Sequence, residues 1–194
     1  MIAEPAPTDV RGRYTIDEYF DLERQGVLGP DDRVELLEGV VVSMSPPSPW
    51  HDSIVNCVDE ALQRAVGSRA AVRCQSTLIL QRSAPQPDVA VVAGTIHDYF
   101  EKHPTTALLV VECADTSLPQ DRLSKSRIYA VAGIPEYWIV SRRDDAVEVF
   151  RDPELASATY QTRRLVRRGE RIALVAIDAS VALDELLPPG ASVR

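Results

Sequence analysis

Apolar positions along this 194-residue chain recur with a helical period in three segments and with a strand period in most of the others. Residues 1–12 show no period and are rich in Pro, Ala and charge, the composition of a loose tail. Thr15-Ile16-Asp17-Glu18 then has the capping-box form, in which the Thr hydroxyl and the Glu carboxylate satisfy free backbone amides. Tyr19, Phe20 and Leu22 follow as the apolar side of a helix ending near Gly26. From Arg33 to Met44 two β-type runs, VELLEG and VVVSM, meet at Glu38-Gly39, which predicts a hairpin or one long bent strand. Ser48 and Pro49 suit a cap and a first helical residue, and Ile54, Val55, Val58, Leu62 and Val66 keep helical spacing as far as Gly67.

Further along, Ala71 to Gln81 predicts one or two strands and Asp88 to Val92 another. Ala107 to Cys113 is strongly apolar and suits a central strand covered on both faces. Leu118 to Ala132 reads as helix with Gly133 and Pro135 as its stop, and Glu136 to Val140 returns to strand. Val147 to Phe150, Tyr160 to Val166 and Arg171 to Val175 are the last strand candidates, the final two expected to form a hairpin around Arg168-Gly169. The sum is an α/β or α+β fold on a mixed sheet, with one domain over residues 13–194 behind the tail. No internal repeat or low-complexity linker interrupts it.

Composition, at 45% hydrophobic and 26% charged residues, is that of a folded chain. No apolar run approaches the roughly 18 residues that cross a bilayer, and the opening MIAEPAPTDV lacks the basic start and hydrophobic stretch of a secretion signal. The expectation is a cytoplasmic protein with no membrane segment. Cys57, Cys74 and Cys113 are odd in number and lack CxxC spacing, so buried, reduced thiols are expected rather than disulfides or a thiolate zinc site. A net charge of −8 opposes binding to phosphate, which rests on Lys and Arg. The excess is local, however: residues 1–60 hold 13 acidic and 4 basic side chains, against 16 and 17 in the remainder. A solvated acidic face explains that asymmetry as well as an electrostatic gradient does.

Two acids and a lysine carry the candidate chemistry. Asp88 starts the VAVV strand directly after Pro85-Gln86-Pro87, Glu112 lies near the end of the LLVVE strand, and 24 residues separate them. If the two strands lie side by side, both carboxylates converge at one end of the sheet, the hard-oxygen pair that a magnesium ion with several waters requires. An acid at a strand end is by itself more often a turn residue or a cap. Lys125 changes the weighting, because 19 of the 21 basic residues are Arg and only Lys102 and Lys125 remain. An ammonium is a compact donor able to hold a water beside phosphate, and its pKa shifts as that of a guanidinium does not. Codon bias with chance survivors is the plainer reading. Asp121, Lys125 and Tyr129 share one helix face by spacing, as an ordinary surface pair or as a wall of a site.

Three stretches taken together, SAPQPD through Asp88, VVECADTSLPQDRLSK through Lys125 and IYAVAGIPEYWIV through Val140, resemble the Uma-two-like family of restriction-endonuclease-like proteins. ELLEGVVVSMSP, His51, Gln75 and the YFEKHP segment add to the likeness, which spans roughly residues 14–190. The resemblance implies membership of the PD-(D/E)XK nuclease superfamily, with a central mixed sheet flanked by helices and a magnesium-dependent site that cuts DNA. By it, Asp88 is the first acid, Glu112 the second, and the carbonyl of Cys113 a further metal ligand, with Mn²⁺ as a substitute ion. The usual lysine position two residues after the second acid is Ala114 here, and the family carries its lysine on the following helix, where this chain has Lys125. Glu35, or else Glu38, is the expected third acid; alternation along a strand puts the two on opposite faces, so only one should reach the metal. Many relatives have an acid after the hairpin glycine, where this chain has Val40. His51 and Gln75 are supporting candidates, and a homodimer would supply the second site that cutting both strands requires.

Other constellations point elsewhere. His51, His97 and His103 are too scattered for a histidine metal site, and neither GxSxG, GxGxxG nor GxxxxGK[ST] occurs. Arg163, Arg164, Arg167, Arg168 and Arg171 split between two faces on a strand period and read as solvated hairpin residues. Trp50, Tyr137 and Trp138 read as core or interface aromatics. The alternative to a nuclease is a catalytically silent module of the same fold that binds nucleic acid or serves regulation or assembly.

Overall fold

A computed structural model describes residues 12–29, 31–115 and 119–187, with side chains at all of these except 119–123. The tail expected over residues 1–12 lies, apart from Gly12, outside the described residues. Helix α1 (Ile16–Arg24) starts on the expected box, with the Thr15 hydroxyl accepting from Glu18 N and Glu18 Oε2 accepting from Thr15 N at 2.8 Å. Strands β1 (Val34–Leu37) and β2 (Val40–Ser43) form the hairpin, with Leu37 opposite Val40. Glu38 and Gly39 both take positive φ, the backbone a tight hairpin turn demands. A Cβ on Gly39 would also come within 3.0 Å of the Tyr14 carbonyl.

Helix α2 (Pro49–Val66) begins on Ser48, whose side chain accepts from His51 N, and stops at Gly67. Then follow β3 (Ala71–Cys74), β4 (Val89–Val92), β5 (Leu109–Ala114), helix α3 (Pro119–Val131), β6 (Glu136–Ser141), β7 (Ala146–Glu154) and β8 (Thr159–Val166). Among the described residues these six strands make one sheet in the order β3-β4-β5-β6-β7-β8, with β5 and β6 parallel and the other neighbours antiparallel. The parallel pair requires a crossover, and α3 provides it.

All four residues of β4 are buried because both sheet faces are covered. Val89, Val91, Leu109, Val111, Trp138 and Val140 pack with Ile54, Val58 and Leu62 of α2. Ala90, Val92, Val110, Tyr137 and Ile139 pack with Ile128 and Tyr129 of α3. A smaller cluster of Tyr19, Val34, Leu36 and Ala84 ties α1 and the hairpin to the segment before Asp88. Leu36 and Ala84 exchange backbone hydrogen bonds at 3.4 and 2.7 Å, so the hairpin is fastened to the chain that leads into β4. Among the described residues no helix is long and apolar enough to cross a membrane.

Of the one or two strands expected over Ala71 to Gln81 the structure has one, and the hairpin expected around Arg168-Gly169 is corrected. The stretch Ala71 to Gln81 yields only β3, because Gln75 takes a φ of 43° and gives its N–H to the Asp88 carbonyl at 3.1 Å; beyond it only an isolated bridge joins Leu80 to Ser83. A turn does form at Arg167–Glu170, but its flanking strands do not pair. Strand β8 pairs with β7, while β9 (Arg171–Ala173) pairs with β10 (Ser180–Ala182), which leads into the short helix α4 (Leu183–Leu186). The physical cause is burial and charge: Ile172 and Val181 join the α2-side core, and Arg168 holds Asp145, Asp184 and the Leu187 carbonyl.

Because Leu36 is fully buried in a satellite cluster with few alternatives for repacking, Leu36→Ala is expected to lower unfolding free energy by about 2–5 kcal/mol. A urea titration reads this as a lower midpoint at unchanged slope.

Candidate active site

Pairing of β4 and β5 runs antiparallel with Val89 opposite Val111, so Asp88 and Glu112 meet at one sheet end, as strand adjacency requires. Asp88 is fixed there by two donors: Cys113 N reaches Oδ2 at 2.7 Å and His51 Nε2 lies 3.0 Å from Oδ1. Glu112 Oε1 accepts from Lys125 Nζ at 3.1 Å and from the Tyr129 hydroxyl at 2.7 Å. Lys125 Nζ also lies 3.2 Å from Glu35 Oε1, and Glu35 Oε2 accepts from Gln86 N at 3.2 Å. Three acids, one ammonium and one imidazole thus converge from β1, α2, the start of β4, β5 and α3.

Each position follows from its local structure. Glu35 turns inward because its neighbours Val34 and Leu36 fill the satellite cluster on the opposite side of β1. Glu112 shares the α3 face of β5 with Val110 and Ala114, and the four-residue spacing of Lys125 and Tyr129 brings both donors to it. His51 lies in the first turn of α2, beside the cap Ser48. Ser48 Oγ in turn donates to Asp115 Oδ2 at 2.6 Å, and Arg142 Nη1 donates to Asp115 Oδ1 at 2.9 Å while its guanidinium lies over the Trp50 ring. Ser48, Asp115 and Arg142 had no signal in the sequence apart from the helix cap.

A cleft of about 550 Å³ opens above these groups. Glu35, His51, Asp88, Glu112, Cys113 and Lys125 all line it, with Val42, Met44, Pro46 and Pro47 on the hairpin side. Glu38 reaches the same cleft from the exposed turn, whereas Glu35 is buried and paired with Lys125. Of the two candidates for the third acid, Glu35 therefore sits with the others. Gln75 does not line the cleft; its side chain is exposed and only its backbone meets Asp88. The Asp121 side chain lies outside the described residues. His97 and His103 pack on Phe100 and Phe20.

Burial pushes the Glu112 carboxyl up to about 7, against the pull of the Lys125 ammonium and with the added push of the Asp88 and Glu35 charges. For Lys125 burial acts downward, but Glu112 and Glu35 outweigh it and hold the ammonium above its ordinary value. His51 is raised by its Asp88 hydrogen bond, against burial; its Nδ1 is buried, makes no hydrogen bond among the described residues and lies 3.9 Å from Asp52 Oδ1.

Hard oxygen donors are present in the set. Cys113 gives its N–H to Asp88, while the Ala114 carbonyl accepts from Arg142 N beyond the end of β6. Alternation along β5 therefore turns the Cys113 carbonyl toward the Asp88 edge. None of the described hydrogen bonds falls on Glu112 Oε2. Among the described residues no group of three or more His, Cys, Asp or Glu side chains is arranged to hold a metal. Two carboxylates and a carbonyl nevertheless fit an ion that keeps several waters, and a cation would offset the charge crowding that raises Glu112.

A family model described as "putative restriction endonuclease", Uma2, matches residues 16–184. The chain belongs to the Uma2 family. No curated protein matches it. This Uma2 chain is also similar to a solved structure described as a putative nuclease belonging to DUF820 from Anabaena variabilis ATCC 29413. That likeness has a TM-score of 0.69 at 14% identity and covers 89% of this chain and 96% of the other. At that identity it establishes the shared fold, a central mixed sheet flanked by helices.

Lys125 is the sole basic side chain bonded to Glu35 and Glu112 among the described residues. Lys125→Met leaves two buried carboxylates without their cation and is expected to cost about 3–5 kcal/mol in metal-free buffer, read by thermal or urea unfolding. A loss below about 1 kcal/mol would show the acids to be well solvated.

Proposed function

We propose that this Uma2 protein is a metal-dependent DNA endonuclease acting at the cleft of Asp88, Glu112 and Lys125. The observation that carries the reading is the meeting of those three side chains, from the residue just before β4, from β5 and from α3, at one sheet end beneath an open cleft. The family description supports nuclease chemistry, and the acid pair supports a divalent cation as its means.

Asp88, Glu112 and the Cys113 carbonyl would hold Mg²⁺, or Mn²⁺ in its place. The ion supplies positive charge against the negative charge that develops on phosphorus. Lys125 donates to the attacking water and orients it toward the phosphodiester, as an ammonium free of ring geometry can do. Glu35 keeps that ammonium charged and aimed into the cleft. His51 holds Asp88 Oδ1 from the α2 side, which fixes the rotamer of the first acid. Water oxygen forms a new P–O bond as the P–O bond to one nucleoside breaks; the departing oxygen leaves as that nucleoside's hydroxyl, taking up a proton equivalent to the one the water gives up. A homodimer of such domains would cut both strands of a duplex.

One observation favours a second reading. The cleft is lined by Glu35, Glu38, Asp88, Glu112 and Asp115 but by few cations, with Arg33 and Lys125 the described ones. That balance opposes a polyanion unless divalent cations enter first, and a silent module of the same fold would show it too.

Incubation with plasmid and with oligonucleotides in Mg²⁺ or Mn²⁺ separates the two. Wild type is expected to cut, and Asp88→Ala, Glu112→Gln and Lys125→Ala to lower the rate at least about 100-fold. No cleavage by wild type in either metal, or equal cleavage by the variants, sinks the endonuclease reading.

A further inference from the structure

We infer that Tyr129 is a positioning residue that aims the Glu112 carboxylate, locking Oε1 and turning Oε2 toward the cation. The inference rests on the cation reading above and adds a residue to its machinery.

Three observations combine. The Tyr129 hydroxyl and Lys125 Nζ converge on one oxygen, Glu112 Oε1, at 2.7 and 3.1 Å. A carboxylate held by two donors on one oxygen has a fixed plane, so its second oxygen has a fixed direction as well. The Glu112 side chain lines the cleft, and among the described residues its hydrogen bonds fall on Oε1 and none on the second oxygen.

Next, the Tyr129 ring cannot wander. Tyr129 is fully buried, and its ring meets Tyr137 of β6 at 5.1 Å. Tyr137 stacks on Phe150 of β7 at 5.5 Å and on Tyr160 of β8 at 6.2 Å, and the Arg163 guanidinium covers Phe150. An aromatic column thus runs across three strands and ends at the hydroxyl that touches Glu112. Side chains locked in this way can set a ligand's direction to the tolerance that metal geometry requires.

Lastly, a purely structural tyrosine does not require this geometry. Burial of the ring would be satisfied equally by Phe. A buried hydroxyl needs only one acceptor, and Tyr160 shows the ordinary solution by donating to the Ile134 carbonyl at 2.9 Å. Tyr129 spends its donor on an acid that Lys125 already serves.

The test is Mn²⁺ binding by isothermal titration calorimetry on the full chain, with thermal unfolding alongside. Tyr129→Phe keeps the column and is expected to weaken Mn²⁺ binding by about 10-fold or more, with cleavage recovering at saturating Mn²⁺. Tyr99→Phe removes a hydroxyl that donates to the Ala93 carbonyl away from the cleft lining, and should bind Mn²⁺ as wild type does. Tyr137→Leu leaves both donors on Glu112 but loosens the ring behind Tyr129, and should weaken binding by a smaller factor. It also keeps the inference testable if Tyr129→Phe fails to fold. Wild-type Mn²⁺ affinity in both Tyr129→Phe and Tyr137→Leu overturns the inference and leaves the endonuclease reading standing. No Mn²⁺ uptake by wild type overturns both.

Discussion

One buried ammonium joins parts of the molecule that share no strand ladder. Lys125, on the crossover helix, reaches Glu112 in the six-stranded sheet and Glu35 in the separate β1-β2 hairpin. Taking these charges out of water costs several kcal/mol per ion, and the attraction between them offsets that only when the geometry is good. A chain selected for stability alone would gain as much from apolar residues of similar volume. Three charged groups beneath a cleft, with burial driving the Glu112 carboxyl up to about 7, are the arrangement on which the proposed chemistry rests.

The rest of the fold keeps that cluster in register. Antiparallel pairing brings the start of β4 to the end of β5, and parallel pairing of β5 with β6 places α3 over the same face. Because α2 covers the opposite face, the central strands are apolar on both sides and cannot slip by one residue without burying Glu112 in the wrong core. The hairpin is held to the segment before β4 by the Leu36–Ala84 bridge, by Gly39 N and Glu38 N donating to the Arg82 carbonyl and Ser83 Oγ, and by the Gln86 amide that meets Glu35. Its acid is therefore placed by short-range bonds to the very segment that carries Asp88.

The arginine-rich stretch contributes to architecture more than to an electrostatic footprint. Arg163 pairs with Glu148, Arg164 with Glu170, and Arg168 with Asp145 and Asp184. Arg171 is turned to Ser180 in the β9-β10 ladder. Guanidinium groups engaged in this way neutralise acids of the same domain, which leaves this stretch little surplus positive charge to offer a polyanion.

Much of this was legible in the residues themselves. The Thr15 box, the Ser48-Pro49 helix start, the Glu38-Gly39 turn and the apolar VAVV and LLVV runs are local signals, set by backbone hydrogen bonding and by period, and each gives the element it predicts. Asp88, Glu112 and Lys125 could be named from motif and spacing. Other features depended on residues distant in sequence. The strand after Cys74 ends because Gln75 bonds to Asp88, and the turn at Arg168-Gly169 separates its strands because Ile172 and Val181 have a core to enter on the α2 side. Local sequence determined which segments could be helix or strand and which residue types could do the chemistry. Tertiary structure alone decided that Glu35 and not Glu38 faces Lys125, that Gln75 stays outside the cleft and that Tyr129 completes the grip on Glu112. Those outcomes turn on contacts between elements whose mutual placement only the packed core fixes.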